Sequence, residues 1–133
     1  MRLRHILVQS ERPINLDLTK FAFPLIAIGS ILHRISGVVI FIALPFVFYF
    51  FDQSLSSKVQ FDHLVYLLNH HLLVQLFVLC FLAALFYHLF AGIKHLFADF
   101  GIGEDLVTAK WTTFLVIIFT ALFVILLSFC LFL

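Results

Sequence analysis

Three long stretches that are almost free of charge constrain the fold of this chain more than any other feature of its sequence. Residues 69–93 and 111–133 contain no Asp, Glu, Lys or Arg, and residues 21–51 contain only Arg34. An apolar helix of about 20 residues crosses the hydrocarbon core of a bilayer. Strands are a poor alternative, because the stretches are continuous rather than alternating and three strands cannot close a barrel. The sequence therefore predicts an all-α integral membrane protein with three transmembrane helices.

The overall composition excludes the main soluble alternatives. Of the 133 residues, 64% are apolar and 11% are charged, whereas soluble domains average about 45–50% apolar and about 25% charged. The net charge of +1 provides no basic field for nucleic acid. Cys80 and Cys130 stand alone in apolar runs, without the C-x-x-C-H signature of covalent haem attachment. Membrane lipid is the solvent that this composition fits.

The spans divide the chain into one membrane-anchor domain. Its predicted parts are an N-terminal arm (1–22), spans at about 24–51, 71–97 and 110–133, an outer connector (52–70) and an inner connector (98–109). Apolar residues at helical spacing predict a short interfacial helix in the outer connector. In the inner connector Gly101 and Gly103 are breakers, and Glu104 and Asp105 are acids typical of a helix start.

Lysine and arginine near the ends of the spans predict the orientation. The N-terminal arm and the inner connector region together carry six of them, whereas the outer connector has Lys58 alone and the C-terminus has none. By the positive-inside rule the N-terminus lies in the cytoplasm or the mitochondrial matrix. The C-terminus is then expected in the periplasm or the intermembrane space, across a bacterial or mitochondrial inner membrane.

Two polar clusters lie within the spans, where each ionisable residue is a candidate functional residue. On the first helix, Ser30, His33, Arg34 and Gly37 are spaced to share one face, and the second helix carries His88, Lys94 and His95. Measured from the outer helix ends, Arg34 lies about 26 Å deep and His88 about 24 Å. One bound group is therefore expected to reach both clusters, near the inner edge of the membrane.

The neighbours of His88 indicate what that group is. Ala84, Ala91 and Gly92 remove bulk from the same helix face, and an imidazole there suits axial coordination of iron in a non-covalent, b-type haem. Arg34 and His33 are at the right depth to hold the propionates. The alternatives are that His88 only hydrogen-bonds a neighbouring helix, with Ala and Gly serving helix contacts, and that Arg34 only snorkels to the headgroups.

Three sequence blocks carry a family resemblance. They are Arg-Pro-Ile-Asn-Leu-Asp-Leu at 12–18, Ser-Ile-Leu-His-Arg-Ile-Ser-Gly at 30–37 and Tyr-His-Leu-Phe-Ala-Gly-Ile-Lys-His at 87–95, the last followed by Asp99. In this order the chain resembles the cytochrome b membrane-anchor subunit of succinate dehydrogenase, respiratory complex II. The resemblance covers about residues 11–105, together with a third helix that carries no motif. Lys94 stands where an arginine is common in that family, which keeps the charge but not a bidentate fork.

The resemblance implies specific roles for these residues. His88 is expected to be an axial ligand of haem b, with the second ligand from a partner anchor subunit, and His33, Arg34 and His95 are expected to lie near the propionates. Ser30 and Arg34 are expected to line the ubiquinone site. The arm at 12–18 resembles a segment that packs on the iron–sulfur subunit.

The resemblance also implies that this chain is a non-autonomous part of an enzyme. It carries no flavin fingerprint and no cluster-binding cysteines, so FAD, the iron–sulfur clusters and succinate oxidation are expected in a flavoprotein and an iron–sulfur subunit. Three helices have too few faces to enclose a porphyrin and also satisfy Arg34, which predicts a multi-subunit helix bundle. The alternatives are an anchor of fumarate reductase and a non-redox three-helix scaffold or transporter subunit.

Overall fold

The structure is a computed structural model, and it describes residues 23–132. This part of the chain contains four helices. They are α1 (Leu25–Ser56), α2 (Lys58–His70), α3 (Leu72–Asp99) and α4 (Leu106–Phe132), and these residues contain no strand. α1, α3 and α4 are each long and apolar enough to cross a membrane. The predicted all-α class with three membrane spans is confirmed. The N-terminal arm, including the block at 12–18, lies outside the described residues.

The helices begin where local chemistry provides acceptors for free backbone N–H groups. The carbonyl of Pro24 accepts from the N–H groups of Ala27 and Ile28 at 2.9 and 3.2 Å. The side chain of Ser57 caps α2 by accepting from Gln60 N–H at 3.2 Å. α2 is thus the short helix that the sequence predicts in the outer connector.

Asp105 starts α4 four residues before the predicted position near 110. Its Oδ1 accepts from the N–H groups of Val107 and Thr108 at 3.1 and 3.0 Å. Hydrogen bonds from Thr108 hold the pKa of Asp105 below its ordinary value. The inner connector is consequently shorter than predicted, and Gly101 and Gly103 turn it with φ angles of 76° and 73°.

α3 packs against both α1 and α4, and small residues bring α1 close to its neighbours. The buried residues of α1 are Gly29, Ser36 and Ala43, which follow one another at intervals of seven residues and so form one stripe. Tyr87 and Ala91 of α3 meet Val116 of α4 in the core of the bundle. Most other large apolar side chains are exposed, as expected for helices whose surroundings are lipid or other subunits.

The bundle has two ends with different contents. The His88 end comprises residues 25–37 of α1, 84–99 of α3 and 106–116 of α4, and it holds the polar clusters predicted from the sequence. The α2 end comprises residues 38–56, 72–83 and 117–132, where Phe46 and Phe50 contact Phe77 edge-on at ring-centroid distances of 6.0 and 6.1 Å. The candidate site is therefore confined to one end.

Candidate functional site

Three imidazoles meet between α1 and α3 at the His88 end. The rings of His33 and His88 are stacked, with centroids 4.2 Å apart and an interplanar angle of 21°. The ring of His95 also lies beside His33, with its centroid 5.3 Å from that of His33. The two sequence clusters are therefore at the same level in the bundle, as the depth estimate predicts.

One ring nitrogen of His88 is held by α1. Its Nδ1 lies 3.1 Å from the carbonyl oxygen of His33 and 3.1 Å from Oγ of Ser36, and Ser36 Oγ donates to the same carbonyl at 2.8 Å. The other nitrogen, Nε2, has no hydrogen-bond partner among residues 23–132, and it is not fully enclosed. His88 is thus oriented through Nδ1 and open to an additional ligand at Nε2.

Glycine at position 37 allows His88 to approach α1. A Cβ at this position would lie 3.0 Å from Cε1 and 3.4 Å from Nδ1 of the imidazole. Gly92 has a similar position beside the other ring, because a Cβ there would lie 3.6 Å from Nε2 of His33. Two of the small residues singled out in the sequence therefore make room for imidazoles.

His33 contributes a buried polar atom that has no partner in the described part of the chain. Its Nε2 is enclosed and has no hydrogen-bond partner among the residues the structure describes. A buried nitrogen without a partner costs about 1–3 kcal/mol. Such an atom is expected where a ligand or another chain completes the site.

The four residues of α1 that the sequence places on one face point in different directions in the structure. His33 and Gly37 turn toward α3, whereas Arg34 is exposed and Ser30 is half-buried. Within the described range neither Ser30 nor Arg34 has a side-chain hydrogen bond or ion pair. Arg34 therefore lies on an outer side of the bundle.

The small residues of α3 do not all line one open face. Ala91 is only 4% exposed and packs in the core with Tyr87 and Val116, so it serves packing within this chain. Ala84 is half-buried, and Gly92 borders His33. Gly92 therefore makes room for the ring of His33, whereas Ala91 packs in the core.

Other polar contacts at this end join residues whose partners the sequence does not predict. Lys94 Nζ donates to Oγ1 of Thr113 at 2.8 Å, and the Tyr87 hydroxyl donates to the carbonyl of Gly29 at 3.0 Å. Lys94, which the sequence places in the polar cluster of the second span, thus joins α3 to α4. The sequence does contain one signal of a close helix contact here, because the small residues Gly29 and Ser36 are seven positions apart on α1.

A groove of about 580 Å³ lies beside the site, between α3 and α4. Lys94, His95 and Glu104 contribute polar groups to it, and Leu115 and Phe119 belong to its apolar lining. Within residues 23–132 no group of three or more His, Cys, Asp or Glu side chains is arranged to hold a metal ion. His88 therefore offers one donor atom, which suits a metal whose other ligands come from outside this chain.

Comparisons with known proteins agree on one family. The sequence model described as "Succinate dehydrogenase/Fumarate reductase transmembrane subunit" matches residues 9–127. The chain is 41% identical over 119 residues to the succinate dehydrogenase cytochrome b556 subunit of Coxiella burnetii, covering 90% of this chain and 95% of that protein. It is 33% identical over 121 residues to the b556 subunit of Rickettsia bellii, covering 90% and 93%. The b560 subunit of Reclinomonas americana is 31% identical over 115 residues, covering 80% of this chain and 77% of that subunit.

Proposed function

The chain belongs to the succinate dehydrogenase/fumarate reductase transmembrane-subunit family, as a cytochrome b anchor, and we propose that it holds haem b and helps to form the quinone-reduction site of its complex. In this role it passes electrons that originate from succinate to quinone. The flavoprotein and the iron–sulfur subunit of such a complex supply FAD, the iron–sulfur clusters and the succinate-oxidising site. The chain itself is a multi-pass membrane subunit.

The observation that carries the haem proposal is the orientation of His88. Its Nδ1 is engaged by the carbonyl of His33 and the hydroxyl of Ser36, and its Nε2 is left without a partner in the described part of the chain. A metal-binding histidine typically has this arrangement, in which one ring nitrogen binds a carbonyl or hydroxyl and the other binds the metal. Together with the small residues Ala84 and Gly92, the donor set fits a haem.

The remaining polar groups at this level suit the acidic edge of a porphyrin. The unpartnered Nε2 of His33 is available to donate to a propionate, and His95 and Arg34 add further donors or positive charge at nearly the same depth. When bound, the haem supplies a one-electron redox centre beside the quinone. The second axial histidine is proposed to come from a partner anchor subunit.

Ser30 and Arg34 are the residues of this chain proposed to bind the quinone. As a quinone accepts electrons, negative charge develops on its carbonyl oxygens, and a hydroxyl and a guanidinium are suitable donors to stabilise that charge. The stabilisation increases as the surroundings become less polar. Both side chains are free of partners within residues 23–132, and Arg34 is exposed on the bundle, where another subunit can complete the site.

The haem assignment is tested by the absorbance spectrum of the dithionite-reduced purified complex. We expect wild-type complex to show b-type haem bands and His88→Leu to lose or strongly perturb them. Phe77→Leu, which removes an aromatic ring from α3 at the α2 end, is the matched control and is expected to keep them. Native bands in His88→Leu would exclude His88 as a ligand and would favour a role for this residue in helix packing alone.

The quinone assignment is tested by comparing two electron acceptors. We expect Ser30→Ala and Arg34→Leu to impair succinate–quinone turnover, while reduction of a soluble artificial acceptor by succinate continues. Ser54→Ala is the control, since Ser54 lies on α1 at the α2 end and its hydroxyl donates to the carbonyl of Phe51. Unchanged quinone turnover in both test variants would remove Ser30 and Arg34 from the quinone site.

A fumarate reductase anchor, working with the opposite net electron flow, is the alternative within the family. The family description includes both enzymes, but the relatives from Coxiella, Rickettsia and Reclinomonas are succinate dehydrogenase subunits. The rates of succinate oxidation and fumarate reduction by the purified complex distinguish the two.

A further inference from the structure

We infer that Ser36 is a positioning residue, which holds the His88 ring in the orientation and neutral tautomer that leave Nε2 free to bind a metal. This inference deepens the proposed haem function and rests on it. Ser36 is not among the residues that the sequence pattern selects for haem or quinone. Its side chain is nevertheless one of the few polar groups buried in this bundle, at 6% exposure.

The first constraint on the His88 ring is a hydrogen-bond acceptor on α1. The carbonyl oxygen of His33 can only accept hydrogen bonds, and it lies 3.1 Å from Nδ1 of His88. If Nδ1 carried a lone pair instead of a proton, two acceptors would face each other at this distance. The contact is therefore a hydrogen bond only when Nδ1 is protonated and donates.

The contacts of Ser36 are compatible with the same tautomer. Its hydroxyl donates to the His33 carbonyl at 2.8 Å, so its proton is used there and its lone pairs are available to Nδ1, 3.1 Å away. All three contacts are satisfied together when the N–H of His88 is shared between the two oxygens. A neutral imidazole with its proton on Nδ1 has its lone pair on Nε2, the nitrogen without a partner in the described chain.

The position of Ser36 also fixes the direction of the ring. Ser36 and His33 lie one turn apart on α1, and the hydrogen bonds from one ring nitrogen to both residues restrict rotation of the imidazole. Gly37 also contributes to this position of the ring, because its missing side chain leaves space for Cε1 of His88. Donation from Nδ1–H to two acceptors also increases the electron density that Nε2 can donate to a metal.

The test uses the midpoint potential of the haem in the purified complex. Ser36→Ala removes one acceptor, so Nε2 donates less electron density, the ferric form is less stabilised and the potential is expected to rise. We also expect haem affinity to fall, by about tenfold. Ser36→Thr keeps the hydroxyl and is expected to restore the wild-type potential.

Two further variants keep the test decisive. Ser36→Cys fills the same space with a weaker acceptor, so it should raise the potential even if the alanine variant assembles poorly. Ser128→Ala is the matched control, because Ser128 also donates to a carbonyl of its own helix, at 2.7 Å, but at the α2 end and away from the imidazoles. The control is expected to leave the potential unchanged.

The outcomes separate this inference from the proposal on which it rests. Wild-type potential and haem affinity in both Ser36→Ala and Ser36→Cys would overturn the positioning role of Ser36, even if His88→Leu abolishes the haem bands. An equal shift in Ser128→Ala would overturn it as well, since the effect would then be a general one of losing a helix hydroxyl. Native haem bands in His88→Leu would instead refute the ligand assignment itself.

Discussion

The two ends of the bundle join the same helices by different chemistry. At the His88 end, helices are connected by hydrogen bonds from Tyr87 to Gly29, from Lys94 to Thr113 and from His88 to α1. At the α2 end, α1 and α3 meet through edge-on phenylalanines beside a groove of about 210 Å³. Hydrogen bonds need a defined distance and direction, whereas aromatic contacts tolerate small shifts. The comparison indicates that the His88 end fixes the register of the helices and the α2 end adapts to it.

The largest effect expected from this difference is at Gly29. A Cβ there would lie 2.5 Å from Cγ2 of Thr113, which is 2% exposed and fixed by two hydrogen bonds. We expect Gly29→Ala to destabilise the protein by about 1–3 kcal/mol in chemical unfolding in detergent micelles. Val39→Ile, which adds a methylene group to the lining of the groove at the α2 end, is expected to be nearly neutral. Equal losses in the two variants would show that both ends of the bundle tolerate added volume equally poorly.

A smaller effect is expected from the contact between Lys94 and Thr113. We expect a double-mutant cycle of Lys94→Met and Thr113→Val to give a coupling energy of about 0.6 kcal/mol, the average for hydrogen bonds between membrane helices, and at most about 1.7 kcal/mol. The unfolding free energies of the two single variants and the double variant provide the measurement. A coupling near zero would mean that the bond at 2.8 Å does not help to fix α3 against α4.

The α2 end also contains a hydrogen bond from a side chain of α3 to α4. Gln75 Nε2 donates to the carbonyl of Leu131 at 2.8 Å. This carbonyl lies in the last turn of α4, where it lacks an intrahelical partner. Since water near the membrane surface can replace the amide, we expect Gln75→Leu to cost less than about 0.5 kcal/mol. A loss as large as that of the Lys94–Thr113 pair would show that the α2 end also fixes helix register.

The smallest effect is expected at Asp105, outside the membrane spans. Because hydrogen bonds from Thr108 lower the pKa of Asp105 in the folded chain, its stabilising contribution is present above the unfolded pKa of about 3.9. It is lost as the pH falls through the lower, folded value. The difference in unfolding midpoint between wild type and Asp105→Asn should therefore shrink as the solution is acidified through that window. A difference independent of pH would exclude the charged carboxylate as the source.

The sequence predicts those features of the molecule that depend on the length of apolar runs and on single polar residues that are energetically unfavourable in a membrane. Charge-free runs indicate the three spans, and counting residues from the outer helix ends places the polar clusters of α1 and α3 at one level. The sequence does not predict which way each side chain turns, because residues one position apart differ by about 100° around a helix. Arg34 therefore points away from the imidazoles although His33 precedes it directly.

The sequence predicts helix boundaries and the hydrogen-bond partners of polar side chains less well, because both depend on contacts between particular atoms. The side chain of Asp105 caps α4 before the apolar run begins, so the third span starts earlier than its hydrophobicity suggests. Ser36 belongs to the block at 30–37, but its contact with His88 depends on a distance between two helices, across a sequence separation of 52 positions. A seven-residue spacing of small side chains predicts such proximity without saying which atoms meet.

The acceptor at residue 33 has a genetic consequence. Part of what orients the imidazole of His88 is a main-chain carbonyl, and every amino acid has one. A saturation screen at position 33 would therefore alter the stacked ring and leave that carbonyl in place. The hydrogen bond from His88 to this carbonyl is lost only if α1 slides or turns relative to α3. Substitutions that disturb the bond should therefore lie in the contact between α1 and α3 and not at position 33 itself.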